Sequence, residues 1–434
     1  MGGFALIDPM LWLYFAAFVI MILAEVPIAF AMTGSSLLYA VINHQSFVMF
    51  AQKTANSLAD FNMLAVPAFL FVGIFMNEIG LTDRIFMMAE KWIGHFTGGL
   101  AHANVLASMI FAGMSGSALA DAGGLGTIEV KAMRDAGYDE HFSVAVTAAS
   151  SAIGPIIPPS INFVIWAFLS QTSTLAMFLA GMLPGILMGL SMMVWIVIAV
   201  KKLHIKAPTA PKATWKERME YSIRALPALG GPAILIGGIM SGIFTPTECS
   251  VVAAAYCVIL SIAYKKFSLP MLTRALKGTL SSAAMCMALC ATGLIFNWMI
   301  VTSGLMTSMA NIMLSMGNTY MVLLTLNIIL LVLGCFIGSM QVLIMIAPLL
   351  MSLASTLGLS LVHIGVISVL NLTLGLITPP MAPSLFVTAK ATGVSFDRSM
   401  KHTVEFLIPM IATLLIVTYV PGVVMWLPTV MGAV

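Results

Sequence analysis

Two double prolines stand inside apolar stretches long enough to span a bilayer: Pro158-Pro159 and Pro379-Pro380. Each closes a similar hexapeptide, Gly154-Pro155-Ile156-Ile157-Pro158-Pro159 and Gly375-Leu376-Ile377-Thr378-Pro379-Pro380. A double proline removes two backbone donors and clashes with the preceding turn, so a helix breaks there. Broken backbone at bilayer depth is costly unless it lines a cavity or binds something. Upstream of each break, Ser115-Gly116-Ser117 and Gly338-Ser339 interrupt an apolar stretch with the Gly and Ser that tight tips need. The chemistry open to such parts is ionic. Half-helix N-termini suit a carboxylate, and freed carbonyls with hydroxyls suit Na⁺.

The spacing ties these parts together. Gly116 and Pro158 are 42 residues apart, and Gly338 and Pro379 are 41 apart. One double proline alone reads as a kink. Two breaks, each paired with a Gly-Ser tip at matched spacing, read as an internal repeat.

The elements that carry these residues must lie in a membrane. Of 434 residues, 60% are hydrophobic and 8% charged, against about 25% charged in a soluble domain. A water-soluble enzyme of this size is excluded, and no nucleic-acid partner is expected. At about 20 apolar residues per span, ten to twelve spans fit. The five cysteines form no CxxC pair and suggest neither a disulfide framework nor a zinc site. Met1 to Asp8 contains no Lys or Arg, so the first apolar run is expected to be retained.

Spans are read at 9–24, 26–43, 61–79, 142–168, 175–200, 225–243, 247–264, 279–302, 361–387 and 404–426. The loop 201–224 carries Lys201, Lys202, Lys206, Lys212, Lys216, Arg218 and Arg224, so it is assigned to the cytoplasm. Lys265, Lys266, Arg274 and Lys277 fall on the same side after two intervening spans. Arg84 and Lys91 precede stretch 103–130, and Lys131 and Arg134 follow it. A re-entrant hairpin there keeps both pairs cytoplasmic; a single crossing would reverse every later loop. Stretch 320–357 is read as the mirror case, a hairpin entering from outside. With both hairpins, 18 of the 19 basic residues are cytoplasmic, Lys53 being the exception, and both termini lie outside. The fold class is thus an all-α polytopic membrane protein, with about ten transmembrane helices and two re-entrant hairpins in an inverted repeat. Segments 80–98 and 303–319 read as amphipathic arms between span and hairpin.

The sequence resembles the large membrane subunit of the tripartite ATP-independent periplasmic (TRAP) transporters. The resemblance is carried by Gly113-Met114-Ser115-Gly116-Ser117-Ala118-Leu119-Ala120-Asp121, Gly137-Tyr138-Asp139, Gly154 to Ser160, Phe244-Thr245-Pro246-Thr247-Glu248 and Gly375 to Pro380. It implies an elevator-type secondary transporter in a bacterial inner membrane. Substrate would be an organic acid, such as sialic acid or a dicarboxylate, delivered by a periplasmic binding protein and coupled to Na⁺. The chain starts directly on the large-subunit pattern, so the small four-helix Q subunit is expected as a separate polypeptide. The resemblance implies one Na⁺ site at Ser115, Gly116, Ser117, Gly154, Ile157 and Pro158, and a second at Gly338, Ser339, Gly375, Thr378 and Pro379. It implies a division into scaffold helices (1–60), a first transport repeat (61–174), scaffold helices with the central loop (175–278), a second transport repeat (279–403) and a C-terminal scaffold helix (404–434).

Other polar residues carry two readings each. Asp121 is either a functional intramembrane carboxylate at the substrate cavity or a cap within its own hairpin. Ser160, Asn371 and Thr373 are expected near the substrate cavity, and Asn297 in a helix–helix hydrogen bond. Thr247 and Glu248 fit an N-cap and a first-turn acid. Glu25 fits a turn, and His102 and His363 fit interfacial positions. No Lys or Arg lies deep in any span. The rival readings are a stand-alone Na⁺-coupled carboxylate carrier, a passive channel and, remotely, an intramembrane serine protease built on Gly113-Met114-Ser115-Gly116 with His363 as base.

Overall fold

The computed structural model describes residues 11–203, 205–315 and 317–434; Met1–Asp8 and the start of the span expected at 9–24 lie outside them. The described chain is helical throughout. Helices α1 (Leu11–Leu23), α2 (Ile28–Ile42), α3 (Phe47–Leu58) and α4 (Ala65–Glu78) come first. Glu25 turns the chain between α1 and α2 with φ of 62°. The arm expected at 80–98 is α5 (Thr82–Ile93). The first hairpin is α6 (Gly99–Ser115), α7 (Ala118–Gly123) and α8 (Leu125–Asp135). The first broken span is α9 (Glu140–Ser151) and α10 (Ile161–Ser170). Then follow α11 (Thr174–Lys202), α12 (Trp215–Met240), α13 (Pro246–Ala263) and α14 (Leu269–Thr302). The second arm is α15 (Leu305–Leu314), and the second hairpin is α16 (Thr319–Phe336) and α17 (Ser339–Leu357). The second broken span is α18 (Leu361–Gly375) and α19 (Pro383–Thr392), before α20 (Phe396–Tyr419) and α21 (Pro421–Val430). Eight helices among the described residues are long and apolar enough to cross a membrane.

Several boundaries differ from the sequence reading, for physical reasons. Hydropathy marks only the apolar part of a helix. Expected span 225–243 lies in α12, which starts ten residues earlier with Trp215, Lys216, Glu217 and Arg218. Span 279–302 is the end of α14, a helix of 34 residues whose first turns carry Arg274 and Lys277. Helix α3 falls outside the expected spans, because its polar face lowers its hydropathy. Expected span 404–426 is two helices, since Pro421 cannot donate to the preceding turn and the helix ends at Tyr419. At α13, Thr245 is the N-cap and forms a reciprocal capping box with Glu248; Thr247 lies inside the helix and donates to Phe61 O at 3.0 Å.

Packing shows how the repeat is built. Both limbs of the first hairpin, α6 and α8, lie against α9, and both limbs of the second, α16 and α17, lie against α18. The second half of each broken span crosses to the other repeat. Helix α10 packs on α17, and α19 packs on α7 and α8. Each arm packs on its own hairpin: α5 lies against α12 and α6, and α15 against α14 and α17.

The expected domain boundaries 61–174 and 279–403 group α4 and α14 with the hairpins. In the structure α4 packs on α13 and α14, and α14 packs on α2, α3 and α4 as well as on α17. Boundaries 175–278 and 404–434 group α11 and α20 with the scaffold. Yet α11 packs on α6, α10, α18, α20 and α21, and α20 packs on α9, α18 and α19. The sequence order of spans does not reveal which neighbours they choose.

Candidate functional site

The first tip is formed by a left-handed residue. Gly116 caps α6 with φ of 58°, a region that favours glycine, and its N–H reaches Ala112 O at 3.3 Å. A Cβ on Gly116 would lie 2.6 Å from Pro159 O, so tip and break touch backbone to backbone. Gly154 faces the same tip, with its Cβ position 3.3 Å from the Ser117 carbonyl carbon. Ser115 Oγ accepts from Ser117 N at 3.4 Å. The chain resumes helix at α10 because Ser160 caps it. Ser160 Oγ accepts from Phe163 N at 3.3 Å and donates to Pro155 O. The Pro158-Pro159 peptide is cis.

The second unit uses the same parts differently. Gly338 is the residue before α17, and Ser339 and Gln341 lie in its first turn. Gly375, at the end of α18, packs directly on the Gly334 backbone of α16, where any side chain would collide. Thr378 Oγ1 donates to Leu374 O at 2.7 Å, and Ala382 N donates to Thr378 O at 3.2 Å. Ala382 then adopts φ of 39° and α19 begins at Pro383. The Pro379-Pro380 peptide is cis as well.

The two units meet at one cavity of about 490 Å³. Ser115, Gly116, Ser117 and Pro155 line it from the first unit, and Gly338, Ser339, Gln341 and Leu376 from the second. Helices α4 and α14 close it with Leu70, Ile74, Ser282 and Cys286. Asn162 of α10 joins the halves, donating from Nδ2 to Ser339 Oγ at 3.3 Å. No charged side chain is among the lining residues. Instead, the opening residues of four helices line it: Ala118 of α7, Ile161 of α10, Ser339 of α17 and Pro383 of α19. Helix N-termini carry partial positive charge and orphan N–H donors, so the openings of α7, α10 and α17 favour an anion without any Lys or Arg, whereas α19 opens on Pro383 and gives its Ser384 N–H to Leu376 O. Serine hydroxyls and tip carbonyls are the hard oxygen donors that an alkali cation takes.

The residues expected at the sites divide into two groups. Ser115, Gly116, Ser117, Gly338 and Ser339 line the cavity. Gly154, Ile157, Pro158, Gly375, Thr378 and Pro379 stand outside its lining, in the breaks. Ile157 packs its side chain on α11 at Gly185. Ser160, Asp121, Asn371 and Thr373, expected at the substrate cavity, do not line it. Asn371 is fully buried and donates to Asn327 O at 2.9 Å and Asn327 Oδ1 at 2.8 Å. Thr373 is buried and donates to Leu370 O. Asn371 thus ties α18 to α16, while Thr373 bonds within its own helix. Asp121 is buried in α7, and its Oδ2 has no hydrogen-bond partner among the described residues. Glu129 of α8, which the sequence reading passed over, is buried with both oxygens in the same condition. Nearby, Asn104 and Ser108 of α6 bond Thr147 and Ser150 of α9.

One further expectation, that for Asn297, is corrected. His363 is buried within the protein and its Nε2 lies 2.9 Å from Val417 O, joining α18 to α20. His102 is also buried, with Nε2 3.1 Å from Thr97 O. Asn297 Oδ1 has no partner among the described residues, so the expected interhelical bond is not formed there. Asn162 and Ser282 are cavity residues outside the expected sites, and Gln341 belongs to the expected second tip, Gly338-Ser339-Met340-Gln341. Asn162 carried a signal, a polar amide in the first turn of an otherwise apolar half-helix; Ser282 carried none.

Comparison with known proteins fits this geometry. The family described as the tripartite ATP-independent periplasmic transporter DctM component matches residues 15–423. The chain is 38% identical over 412 residues to the sialic acid TRAP transporter large permease protein SiaM of Vibrio cholerae, covering 94% of this chain and 96% of that one. It is 35% identical over 399 residues to the C4-dicarboxylate TRAP transporter large permease protein DctM of Pseudomonas aeruginosa, covering 89% and 92%. Among solved structures, the Alcanivorax borkumensis YdaH transporter shares the fold at a TM-score of 0.55 and 14% identity, over 86% of this chain and 87% of that one.

Proposed function

The chain belongs to the DctM component family of tripartite ATP-independent periplasmic transporters, and from that premise we propose a Na⁺-coupled uptake of an organic acid through the cavity between its two tips. It is a membrane transporter subunit and not an enzyme, so the serine protease reading falls.

The observation that carries the proposal is the convergence of three helix openings and two Gly-Ser tips on one uncharged cavity. A carboxylate enters a site with no cationic side chain, held by helix N-termini and by hydroxyl and amide donors. Two Na⁺ ions at the tip–break pairs, Ser115 to Ser117 with Gly154, Ile157 and Pro158, and Gly338 and Ser339 with Gly375, Thr378 and Pro379, offset its charge. Loading the cavity neutralises the tips, and the hairpins with their broken helices then move past α4 and α14 as an elevator. The arms α5 and α15 connect the two bodies.

The host membrane is a bacterial inner membrane, with both termini on the periplasmic side. The partners are a small Q subunit and a periplasmic binding protein, which supplies tight recognition. Relatives named for sialic acid and for C4-dicarboxylates set the first substrates to try. The test is uptake into proteoliposomes holding the chain with its small subunit, with binding protein outside. Accumulation that requires an inward Na⁺ gradient and binding protein is expected. Equal uptake with K⁺ replacing Na⁺ would refute the coupling. Full uptake without binding protein would favour the stand-alone carrier.

A further inference from the structure

A second cavity, of about 390 Å³, lies at the start of the first arm. Gly80, Asp83, Arg84 and Met87 line it from the arm, and Tyr221 and Arg224 from α12. We propose that it holds the phosphate of an anionic phospholipid headgroup from the cytoplasmic leaflet.

The geometry prepares cationic donors. The Arg84 guanidinium lies 4.3 Å from the Tyr264 ring centroid and gives one bond to Arg224 O at 3.3 Å. Stacking fixes the plane of a guanidinium while leaving its edge donors free, the form suited to phosphate. Arg224 is held by Glu220 at 2.5 Å and lies 5.4 Å from the Tyr221 ring. Lys266 donates to Ile79 O at 2.7 Å, and its ammonium sits 3.4 Å from where a Gly80 Cβ would be. Arg84 and Arg224 thus line the cavity against Asp83, and Lys266 reaches its Gly80 edge.

The surroundings favour a lipid over a soluble ion. Trp92 and Trp215 stack edge to face beside the site, and Trp92 Nε1 donates to Ser222 Oγ at 2.9 Å. Such aromatic groups mark the headgroup level. Next to Arg224, Ile223 and Leu226 are 62% and 64% exposed, and Met87 is 44% exposed. A charged pocket beside an unshielded apolar face matches a headgroup with its acyl chains. The basic loop 201–224 places this level at the cytoplasmic leaflet, where anionic lipids attract clustered Lys and Arg. Because α5 lies against α12 and α6, a lipid seated here would brace the arm.

The test compares the purified full chain with added phosphatidylglycerol, phosphatidylcholine of the same acyl chains, or inorganic phosphate. Melting temperature and lipid retained in native mass spectrometry are the readouts. Phosphatidylglycerol is expected to stabilise and to be retained over phosphatidylcholine. The double substitution Arg84→Gln with Arg224→Gln should cut that preference about 30-fold, from about fivefold per basic group near an anionic surface. Arg398→Gln with Lys401→Gln should leave it unchanged. Equal retention of the two lipids by the wild-type chain overturns the proposal, even if the double variant fails to fold. So does stabilisation by phosphate alone, or a preference that survives in the double variant.

Discussion

Asn162 Nδ2 donates to Ser339 Oγ at 3.3 Å, so a side chain of the first repeat is bonded to the tip of the second. The bond follows from the crossing of the repeats, since α10 leaves its own hairpin to pack on α17. It also lies at the cavity wall, where both residues face any substrate. Asn162→Ala should lower Na⁺-driven uptake severalfold, at a stability cost of about 1 kcal/mol for one lost hydrogen bond. Uptake in proteoliposomes and thermal unfolding check the two effects separately. Unchanged uptake would confine Asn162 to packing.

Gly116 is the residue on which the first tip turns. Its φ of 58° and the Cβ position 2.6 Å from Pro159 O leave no room for a side chain. Gly116→Ala should abolish uptake while the protein still inserts and is purified as a membrane protein. The left-handed conformation and displacement of the break together destabilise by more than the roughly 1 kcal/mol by which a conformation-compatible glycine-to-alanine change stabilises. A variant with wild-type uptake would show that tip and break need not touch.

Ser117 and Ser339 offer hydroxyls at the two tips, with Ser117 extended at φ of −137° between α6 and α7. Ser117→Ala should raise the Na⁺ concentration needed for half-maximal uptake by about tenfold, the equivalent of some 1.4 kcal/mol of lost coordination. Pro158→Ala should abolish Na⁺-driven uptake with membrane insertion intact. A Na⁺ titration of initial rates separates loss of ion affinity from loss of turnover.

Asn371 provides the contrasting case. Its amide makes two bonds to Asn327, which in turn donates to Thr418 Oγ1 at 3.0 Å, tying α18 to α16 and α20. Asn371→Ala should destabilise by about 1–3 kcal/mol, because Asn327 acceptors are left buried and unpaired. The Na⁺ dependence of the residual uptake should stay at the wild-type value. A shifted Na⁺ requirement would return Asn371 to the transport site.

The tips and breaks were legible in the sequence because Gly, Ser and Pro act through local backbone chemistry. Gly116 and the two double prolines define the same breaks in any surroundings. The hairpin arrangement followed from the charges flanking stretch 103–130. What the sequence concealed was facing. Asn371 and Asn162 are both amides in apolar half-helices, but only Asn162 lines the cavity. Thr245 and Thr247 flank one proline, and only the three-residue spacing from Thr245 to Glu248 distinguishes the cap. Glu129 sits near Lys131 and Arg134, where nothing in the pattern marks it out, yet it is fully buried. Partner choice between distant helices was equally hidden, as in the packing of α14 on α2, α3 and α17.

The central claim is that the paired tips bind Na⁺. Its most direct test is thermal unfolding of the purified chain with its small subunit, in NaCl and in KCl at equal ionic strength. No substrate is needed, since an ion bound only by the folded state stabilises it by mass action. Selective stabilisation by Na⁺, reduced in Ser117→Ala and in Ser339→Ala, is the predicted result. Superimposable unfolding curves in the two salts would contradict it.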